Sequence, residues 1–306
     1  MTRNKNIQEY IDMFGDIPQF LEKYLKLRIL TRLKKIGYFC GMDYASPHIY
    51  MFEYKISRFD HSLTTALMTW KYSKDKKATL SALFHDVSTP CFSHVIDYMN
   101  KDYENQESTE ENTESILRNC KSLKKLLKED NISLEDILDF KKFTIVDNHR
   151  PKLCADRVDG LILTSLGWTK TLTMPEIQDI LNGIKVMKNE DDEKELGVTT
   201  PELAIKLCDL NREIDILCHS NEDNYMMELL AEITRYAIDK NYITYDNLYE
   251  YTEEKLMKIL YSKDDTALKI LLNLFKTVTL EEISIKDLPK VKIRDINPLV
   301  NGIRIK

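Results

Sequence analysis

Apolar side chains recur every three or four residues along most of the chain, and this periodicity predicts a succession of helices. The first predicted helix covers residues 18–36, ends at Gly37, and carries one apolar stripe formed by Leu21, Leu25, Ile29, Leu33 and Ile36. Further helices are predicted over residues 62–72, 77–86, 109–128, 133–140, 151–166, 200–218, 223–239, 246–261 and 264–277. Thr200 before Pro201 is a typical helix start, because proline is well tolerated at the first helical position.

Two later stretches depart from the helical pattern. Residues 290–305 contain spaced apolar side chains with Asn297-Pro298 and Asn301-Gly302 between them, which predicts a short β-hairpin. Residues 188–195, KNEDDEKE, predict a charged, solvated loop at a boundary between two parts of the chain. We therefore predict an all-α fold with a helical core over residues 1–187. Residues 188–306 are predicted to form a C-terminal helical lobe that packs on the core and ends in the hairpin, which holds the only predicted strands.

Composition supports this prediction and limits the class of protein. Only 8 glycines and 8 prolines occur in 306 residues, so turns are few and elements are long. Hydrophobic residues at 43% and charged residues at 31% are typical of a soluble globular protein. No apolar stretch approaches the roughly 18 residues of a membrane span, and the polar N-terminus lacks the apolar core of a signal peptide. We therefore expect a cytoplasmic protein with no membrane partner.

Charge and cysteine content exclude two further classes. Lys and Arg number 44 against 50 Asp and Glu, and a net charge of −6 disfavours binding to duplex nucleic acid. A small anionic ligand remains compatible with this charge, because a metal ion can supply local positive charge. The six cysteines form no Cys-x-x-Cys pair, so a zinc ribbon or redox motif is not expected, and they are interpreted as buried thiols.

Three of the six histidines, His61, His85 and His94, fall within 34 residues. His85 is followed by Asp86, and Asp156 and Asp159 come later in the sequence ADRVD. Imidazole and carboxylate groups are suitable ligands for a divalent metal, and helical bundles place such ligands on facing helices. The spacing alone also fits a buried histidine that is simply hydrogen-bonded by a carboxylate, and it does not decide between the two interpretations.

Several segments together resemble the HD-domain phosphohydrolases, in particular the branch that contains deoxynucleoside triphosphate triphosphohydrolases. Residues 57–63, SRFDHSL, resemble the family's R-F-x-H-S-L segment, and residues 85–97, HDVSTPCFSHVID, resemble H-D-x-G-H-x-x-F-S-H-x-x-D. Residues 156–159, DRVD, resemble the later D-[KR]-x-D segment, and residues 33–37 resemble the helix before the first motif. The resemblance runs in order from about residue 20 to 166. A weaker K-x-R-x-x-D-P element is matched by residues 292–298, with Asn297 in place of the aspartate.

The resemblance implies an HD-domain helical bundle and a role for seven side chains. Four of them match the family's metal ligands: His61, His85, Asp86 and Asp156. Arg58 matches an arginine expected near the substrate phosphate, and His94 with Asp97 matches a histidine–carboxylate pair expected to assist catalysis. The implied cofactor is one divalent ion, which could be Mn, Fe, Ni, Co, Zn or Mg. The implied reaction is hydrolysis of a nucleotide phosphate ester, most directly a (deoxy)nucleoside triphosphate.

Four positions depart from the family's pattern: Thr89 and Thr109 stand where histidines are expected, Gly160 replaces a tyrosine, and Thr31 replaces a glutamine that reads the base. A threonine hydroxyl does not titrate near neutral pH, so these changes predict slow hydrolysis of ordinary deoxynucleoside triphosphates. Two alternatives stay open. One is a phosphatase or phosphodiesterase acting on a different nucleotide. The other is a catalytically weak HD domain that binds a nucleotide or serves as a regulatory module. The expected partner is a small nucleotide or other phosphate ester, and a homo-oligomer is compatible with the sequence.

Overall fold

The computed structural model describes residues 4–106, 108–283 and 290–304, and most of them are helical. The α-helices of this part of the chain are α1 (Lys5–Asp12), α2 (Gln19–Glu22), α3 (Arg28–Leu33), α4 (Arg58–Ser73), α5 (Lys76–Phe84), α6 (Val95–Asn100), α7 (Thr113–Asn119), α8 (Lys121–Glu129), α9 (Glu135–Leu138), α10 (Ala155–Thr164), α11 (Met174–Gly183), α12 (Pro201–Cys218), α13 (Asn221–Asp239), α14 (Tyr245–Glu250), α15 (Glu253–Tyr261) and α16 (Thr266–Thr277). The strands are β1 (Ile184–Lys188), β2 (Lys194–Val198), β3 (Leu299–Val300) and β4 (Ile303–Arg304). The prediction of a mostly helical protein is confirmed.

Helix α4 runs through the centre of the core, and every residue from Arg58 to Thr69 is buried. Its start is fixed by a capping box, in which Ser57 Oγ accepts from Asp60 N at 3.2 Å and the Asp60 carboxylate accepts from Ser57 N at 3.0 Å. Helices α5 and α10 both pack against α4. The three helices that carry the predicted metal ligands are therefore neighbours.

The segment 18–36 is not the single helix that its apolar stripe predicts. It forms α2, a 3-10 turn at Tyr24–Lys26 and α3, with Leu27 in an extended conformation between the last two. The fully or nearly buried side chains are spaced by three rather than by 3.6: Leu21, Tyr24, Leu27, Leu30, Leu33 and Ile36. One straight α-helix cannot keep such a set on one face, because each step of three drifts by about 60° around its axis. The chain keeps them inward by breaking the helix.

The prediction that all strands lie near the C-terminus is wrong. Strands β1 and β2 form an antiparallel hairpin with Ile184 opposite Val198, and β2 then pairs in parallel with β3 through Gly197 opposite Leu299. The predicted C-terminal hairpin is confirmed for β3 and β4, which are joined by Asn301-Gly302 with φ values of 50° and 85°. Ile305, the last apolar position of the predicted hairpin, lies outside the described residues.

The charged run at residues 188–195 is also not a solvated loop throughout. Its last residue, Glu195, is fully buried in β2, where its carboxylate accepts from Leu153 N at 3.0 Å and pairs with Arg304 at 2.7 Å. Asn189 donates to the same carboxylate at 3.2 Å. A buried charge is tolerated here because it is paired and hydrogen-bonded.

The helices after residue 200 pack on the earlier part of the chain. Helix α12 begins as predicted, with Thr200 Oγ1 accepting from Leu203 N, and contacts α10, while α13 packs on α6. The division at residues 187 and 188 stays a prediction. Within the described ranges, no helix combines the length and apolar character needed to cross a lipid bilayer.

Candidate metal centre and its cavity

Four side chains predicted as metal ligands meet where three helices come together. His61 lies in the first turn of α4, His85 and Asp86 directly follow α5, and Asp156 lies in the first turn of α10. His61 Nε2 is 2.9 Å from Asp156 Oδ1 and 3.9 Å from Asp86 Oδ2. His85 Nε2 is 3.4 Å from Asp156 Oδ1 and 3.8 Å from Asp86 Oδ2. The structure therefore brings together all four residues that the sequence singled out.

Hydrogen bonds from the Nδ1 atoms set the orientation of both imidazole rings. His61 Nδ1 donates to Asp159 Oδ2 at 2.7 Å, and His85 Nδ1 donates to the Ala82 carbonyl at 2.6 Å. Asp159 is fully buried and also accepts from the Tyr10 hydroxyl at 2.6 Å. With Nδ1 engaged in this way, each ring presents Nε2 to the cluster, which is the arrangement that fixes metal-ligating histidines.

The donor set fits a divalent cation. His85 Nε2 is buried and has no hydrogen-bond partner among the described residues, since its 3.4 Å approach to Asp156 lacks hydrogen-bond geometry. Neighbouring ligands at about 2.0–2.2 Å from one ion lie about 2.8–3.6 Å from each other in octahedral or tetrahedral arrangements. Two of the four nitrogen–oxygen separations, 2.9 and 3.4 Å, fall within that range, and the other two, 3.8 and 3.9 Å, are slightly longer. These residues can hold a metal ion with small adjustments of their side chains.

Charge coupling within the cluster is strong. Burial disfavours the charged form of Asp86, but His85, Arg58 and His61 outweigh burial and hold the pKa of Asp86 well below its usual range. Burial likewise opposes a charge on His61, yet its hydrogen bonds with Asp156 and Asp159 raise the pKa of His61 to about 10. Asp86 is therefore ionised at neutral pH, whereas His61 is protonated there and must release its Nε2 proton to bind a metal ion.

A second group of possible metal-binding side chains adjoins the first, formed by Asp147, Cys154 and Asp156. Asp147 Oδ1 already accepts from Arg157 at 3.1 Å and from the Cys154 thiol at 3.6 Å. Burial raises the pKa of Cys154 above the usual range of a thiol. This group is therefore a weaker candidate for a metal than the cluster around His85.

Arg58 lines the cavity, but its guanidinium forms hydrogen bonds with neighbouring side chains of the site. Its Nη1 donates to Asp86 Oδ2 at 3.1 Å, its Nε donates to Ser93 Oγ at 3.2 Å, and its guanidinium lies over the Tyr38 ring at 5.1 Å. Only 8% of the residue is exposed, on the side that lines the cavity. In this arrangement Arg58 orients Asp86, and its predicted contact with a phosphate stays a prediction.

His94 and Asp97 form the pair that the sequence predicts. His94 Nδ1 lies 2.9 Å from Asp97 Oδ2, and the other carboxylate oxygen accepts from Ser108 N at 3.0 Å. Asp97 is fully buried, whereas the His94 side chain is 30% exposed and faces the cavity. The carboxylate can therefore fix the ring while the imidazole stays accessible to a bound molecule.

One cavity of about 750 Å³ connects these groups. Its lining includes all four cluster residues, Arg58 and His94, together with aromatic side chains such as Phe39 and Trp168. Several cations also line it: Lys141, Arg150, Lys152, Arg157, Lys292 and Arg294. Carboxylates line the cavity as well: Asp86, Glu110, Asp147, Asp156, Glu193 and Asp223. The lining therefore carries both signs of charge, and its cations offer local contacts for an anionic ligand of moderate size.

The departures from the family pattern fall at different places. Thr109 lines the cavity, while Thr89 is buried with an Oγ1 that has no partner in the described part of the chain. Gly160 lines the cavity beside the Tyr38 hydroxyl, which would lie 3.3 Å from a Cβ at that position. Thr31 donates to the Arg28 carbonyl in α3 and does not belong to the residues that line the cavity.

Three contributors to the site have no role predicted from the sequence. Asp159 stands in the sequence only as part of a motif, although its position three residues after Asp156 puts both on one helix face. Tyr10 is 149 residues distant from Asp159 along the chain, and no sequence signal links them. Ser93, which accepts from Arg58, was likewise visible only as a motif position.

Comparison with known proteins finds a distant relative of this chain. The chain is 24% identical over 286 residues to the uncharacterized protein YdhJ of Bacillus subtilis (strain 168), a match that covers 92% of this chain and 83% of that protein. No family model matches the chain. The similarity to YdhJ spans most of both proteins and brings no stated activity with it.

Proposed function

We propose that the protein is a metal-dependent phosphohydrolase of the HD superfamily that cleaves a phosphate ester of a nucleotide. The observation that carries the proposal is the cluster of His61, His85, Asp86 and Asp156 on the wall of a cavity, with His85 Nε2 buried, close to two carboxylates and without a hydrogen bond to the described residues. The R-F-x-H, H-D and D-R-x-D segments that resemble the family are the segments that supply these four residues.

Those four side chains would hold the ion. A divalent cation in such a donor set supplies Lewis acidity toward a phosphoryl oxygen and lowers the pKa of bound water. Asp159 and the Ala82 carbonyl keep the two imidazoles oriented, and Arg58 keeps Asp86 in place. The protein's own contribution at the centre is thus a rigid, preorganised donor set.

Proton transfer would fall to His94. Its imidazole faces the same cavity, and Asp97 accepts from Nδ1, which leaves Nε2 free to exchange a proton with a bound molecule. Glu110 is the second titratable candidate on this wall: burial raises its pKa, and Lys141 at 3.2 Å opposes that rise. Because Thr89 and Thr109 cannot take a proton near pH 7, we expect slow turnover of ordinary deoxynucleoside triphosphates.

A second candidate function, a nucleotide-binding or regulatory module with weak catalysis, is favoured by one observation. Arg58 is occupied by Asp86 and Ser93, and Thr89 and Thr109 replace two groups that could act on a phosphate. Such a module would keep the donor cluster and the cationic lining but hydrolyse little.

The test combines metal analysis with a nucleotide panel. Purified protein is assayed for bound metal by mass spectrometry and for phosphate release from deoxynucleoside and nucleoside triphosphates, monophosphates and cyclic nucleotides. We expect about one divalent ion per chain from one four-residue donor set, and turnover of at least one panel member. Bound metal without turnover of any phosphate ester would favour the binding module instead.

Two variants assign the roles. Asp86→Ala is expected to lose both metal and activity while retaining its helical circular dichroism spectrum. Full retention of metal and activity in this variant would contradict the ligand assignment.

His94→Ala is expected to keep the metal and to lose at least about 100-fold in rate, the lower range of general acid–base assistance. An unchanged rate in His94→Ala would mean that the proton travels by another route.

A further inference from the structure

The turn that precedes His94 has an unusual backbone. Phe92 and Ser93 have φ values of 66° and 47°, so two consecutive non-glycine residues adopt the left-handed region. L-residues with side chains rarely take this conformation, and two in succession require support from the surroundings. The position of His94 at the start of α6 depends on this turn.

Part of the support comes from a buried carboxylate in a distant part of the chain. Glu253 Oε1 accepts from Phe92 N at 3.1 Å, and the Gly37 backbone N–H also donates to the Glu253 carboxylate. Glu253 is 2% exposed and is the first residue of α15. A Cβ at Gly37 would lie only 3.0 Å from Glu253 Oε2, so glycine is what lets the carboxylate approach the backbone.

The segment that carries Glu253 is attached to the same turn at further points. Cys91 N donates to the Leu248 carbonyl at 2.7 Å, and the Cys91 thiol donates to the Tyr251 carbonyl at 3.3 Å. Glu253 N donates to the Lys35 carbonyl at 3.3 Å, which joins α15 to the end of the segment before Gly37. The carboxylate is therefore held in a fixed place from which it can define the turn.

We propose that Glu253 is a positioning residue for His94: its carboxylate fixes the left-handed turn at Phe92-Ser93 and thereby sets where the imidazole stands in the cavity. The catalytic part of this proposal rests on the proposed function, in which His94 carries a proton. The placement of the ring does not rest on it and can be tested separately.

The charge state of Glu253 bears on this role. Burial raises the pKa of Glu253 to about 7; Asp43 adds to the rise, and the hydrogen bonds from Gly37 and Phe92 and the charge of Lys55 oppose it. The other titratable groups that interact with it are Arg32, Cys40, Tyr44 and Cys91. Protonation turns one acceptor oxygen into a donor, so the turn is held most firmly above about pH 7 and loosens as pH falls.

The test compares Glu253→Gln with Glu254→Gln in the full-length protein. Glutamine keeps one acceptor for Phe92 N but replaces the other with an NH₂ group that cannot accept from Gly37. Glu254 is the matched control, because its side chain is 79% exposed and only pairs with Lys35 at 3.8 Å. The first measurement is the imidazole NMR spectrum of ¹⁵N-histidine-labelled protein, with the His94 signals assigned through His94→Ala.

We expect the His94 signals and their pH titration to change in Glu253→Gln and to match the wild type in Glu254→Gln, with equal metal content in all samples. On a substrate that the wild type hydrolyses, we expect kcat to fall about 10- to 100-fold, the effect of a displaced catalytic group. Adding Glu253→Gln to His94→Ala should cause little further loss, because two residues that act through one step are not additive.

Unchanged His94 signals in Glu253→Gln, or rate losses that multiply in the double variant, would overturn the proposal. If Glu253→Gln does not fold, Glu253→Asp keeps the charge but shortens the reach, and it is expected to shift the same signals. Absence of turnover in the wild type would argue against the proposed function alone, since the NMR comparison still decides whether Glu253 positions the ring.

Discussion

At the scale of single residues, the candidate site depends on groups that are not predicted ligands themselves but form hydrogen bonds with them. Asp159 accepts from His61 Nδ1 and from the Tyr10 hydroxyl, and it is fully buried. It is not among the residues that line the cavity, yet it decides which nitrogen of His61 faces the cluster. The predicted ligand Asp156 and this carboxylate thus contact opposite sides of one ring.

Asp159→Asn should therefore weaken metal binding while leaving all four ligands in place. We expect the metal dissociation constant to rise about 10- to 100-fold, the usual cost of losing a partner behind a metal-ligating histidine. Competition with a metal chelator measures this constant. Asp239→Asn, at the exposed end of α13, is the control and should bind metal like the wild type; equal affinity in both variants would contradict the role of Asp159.

The sequence predicts only part of the candidate site, because some of its residues stand in recognisable local motifs and others do not. His61, His85, Asp86 and Asp156 stand in short segments with recognisable neighbours, so their convergence could be anticipated. Tyr10 and Glu253 could not, because they reach the site through tertiary packing of distant segments, and an isolated tyrosine or glutamate carries no local pattern. Their partners are backbone groups or other side chains that only the fold brings near.

At the scale of elements, strands β2 and β3, which both belong to the predicted C-terminal lobe, pair at a glycine. Gly197 in β2 faces Leu299 of β3, and a Cβ there would lie 2.8 Å from the Leu299 carbonyl oxygen and 2.6 Å from Met187 Sδ. The methionine side chain can move, but the carbonyl belongs to the paired strand. The parallel pairing of β2 with β3 therefore needs a residue without a side chain.

Gly197→Ala is expected to lower the free energy of unfolding by about 1–3 kcal/mol, the usual effect of forcing an extra methyl group into a packed site. Gly160→Ala is a matched control within α10, because its Cβ would meet only the Tyr38 hydroxyl at 3.3 Å and alanine favours a helix. Urea denaturation of both variants measures the difference. Equal stability of the two would mean that β3 can move away from β2 without cost.

Helices were easier to predict than the breaks and strands between them. The periodicity found α12, α13 and α16 nearly to their ends, because their apolar residues repeat at the helical period and their caps are local. It failed for residues 18–36, where the buried side chains repeat every third position. The periodicity also failed for β1 and β2. The buried Glu195 stands in a run of charged residues, which predicts a solvated loop, and its partner Arg304 lies 109 residues later in the sequence.

At the scale of the whole molecule, several buried carboxylates make stability depend on pH. Burial raises the pKa of Asp223 to about 6, while a hydrogen bond from the Tyr50 hydroxyl and the charge of Arg294 oppose the rise. Between about pH 4 and 6 the folded state keeps the proton that the unfolded state has already lost, so stability falls as pH rises through this window.

Asp223→Asn removes this titration while keeping an oxygen that accepts from Tyr50. Relative to the wild type, the variant should gain stability as pH rises from 4 to 7, by up to about 3 kcal/mol for a pKa raised from 3.8 to about 6. Denaturant unfolding at pH 4, 5, 6 and 7 checks this. Asp239→Asn again serves as the exposed control, and a difference from wild type that is constant with pH would refute the prediction for Asp223.

The cavity wall is formed by segments that are far apart in the sequence. The wall can therefore be completed only late in translation, after its last segment has been synthesised. Lys292 and Arg294 line the same cavity as Asp156 but follow it by more than 130 residues. A ribosome adds roughly 5–20 residues per second, so the donor cluster is translated roughly 7–30 s before these cations. During that interval the nascent chain contains the four predicted ligands but lacks the part of the cavity wall that Lys292 and Arg294 form. An anion whose retention needs both sets of groups can be bound only after translation has passed residue 294.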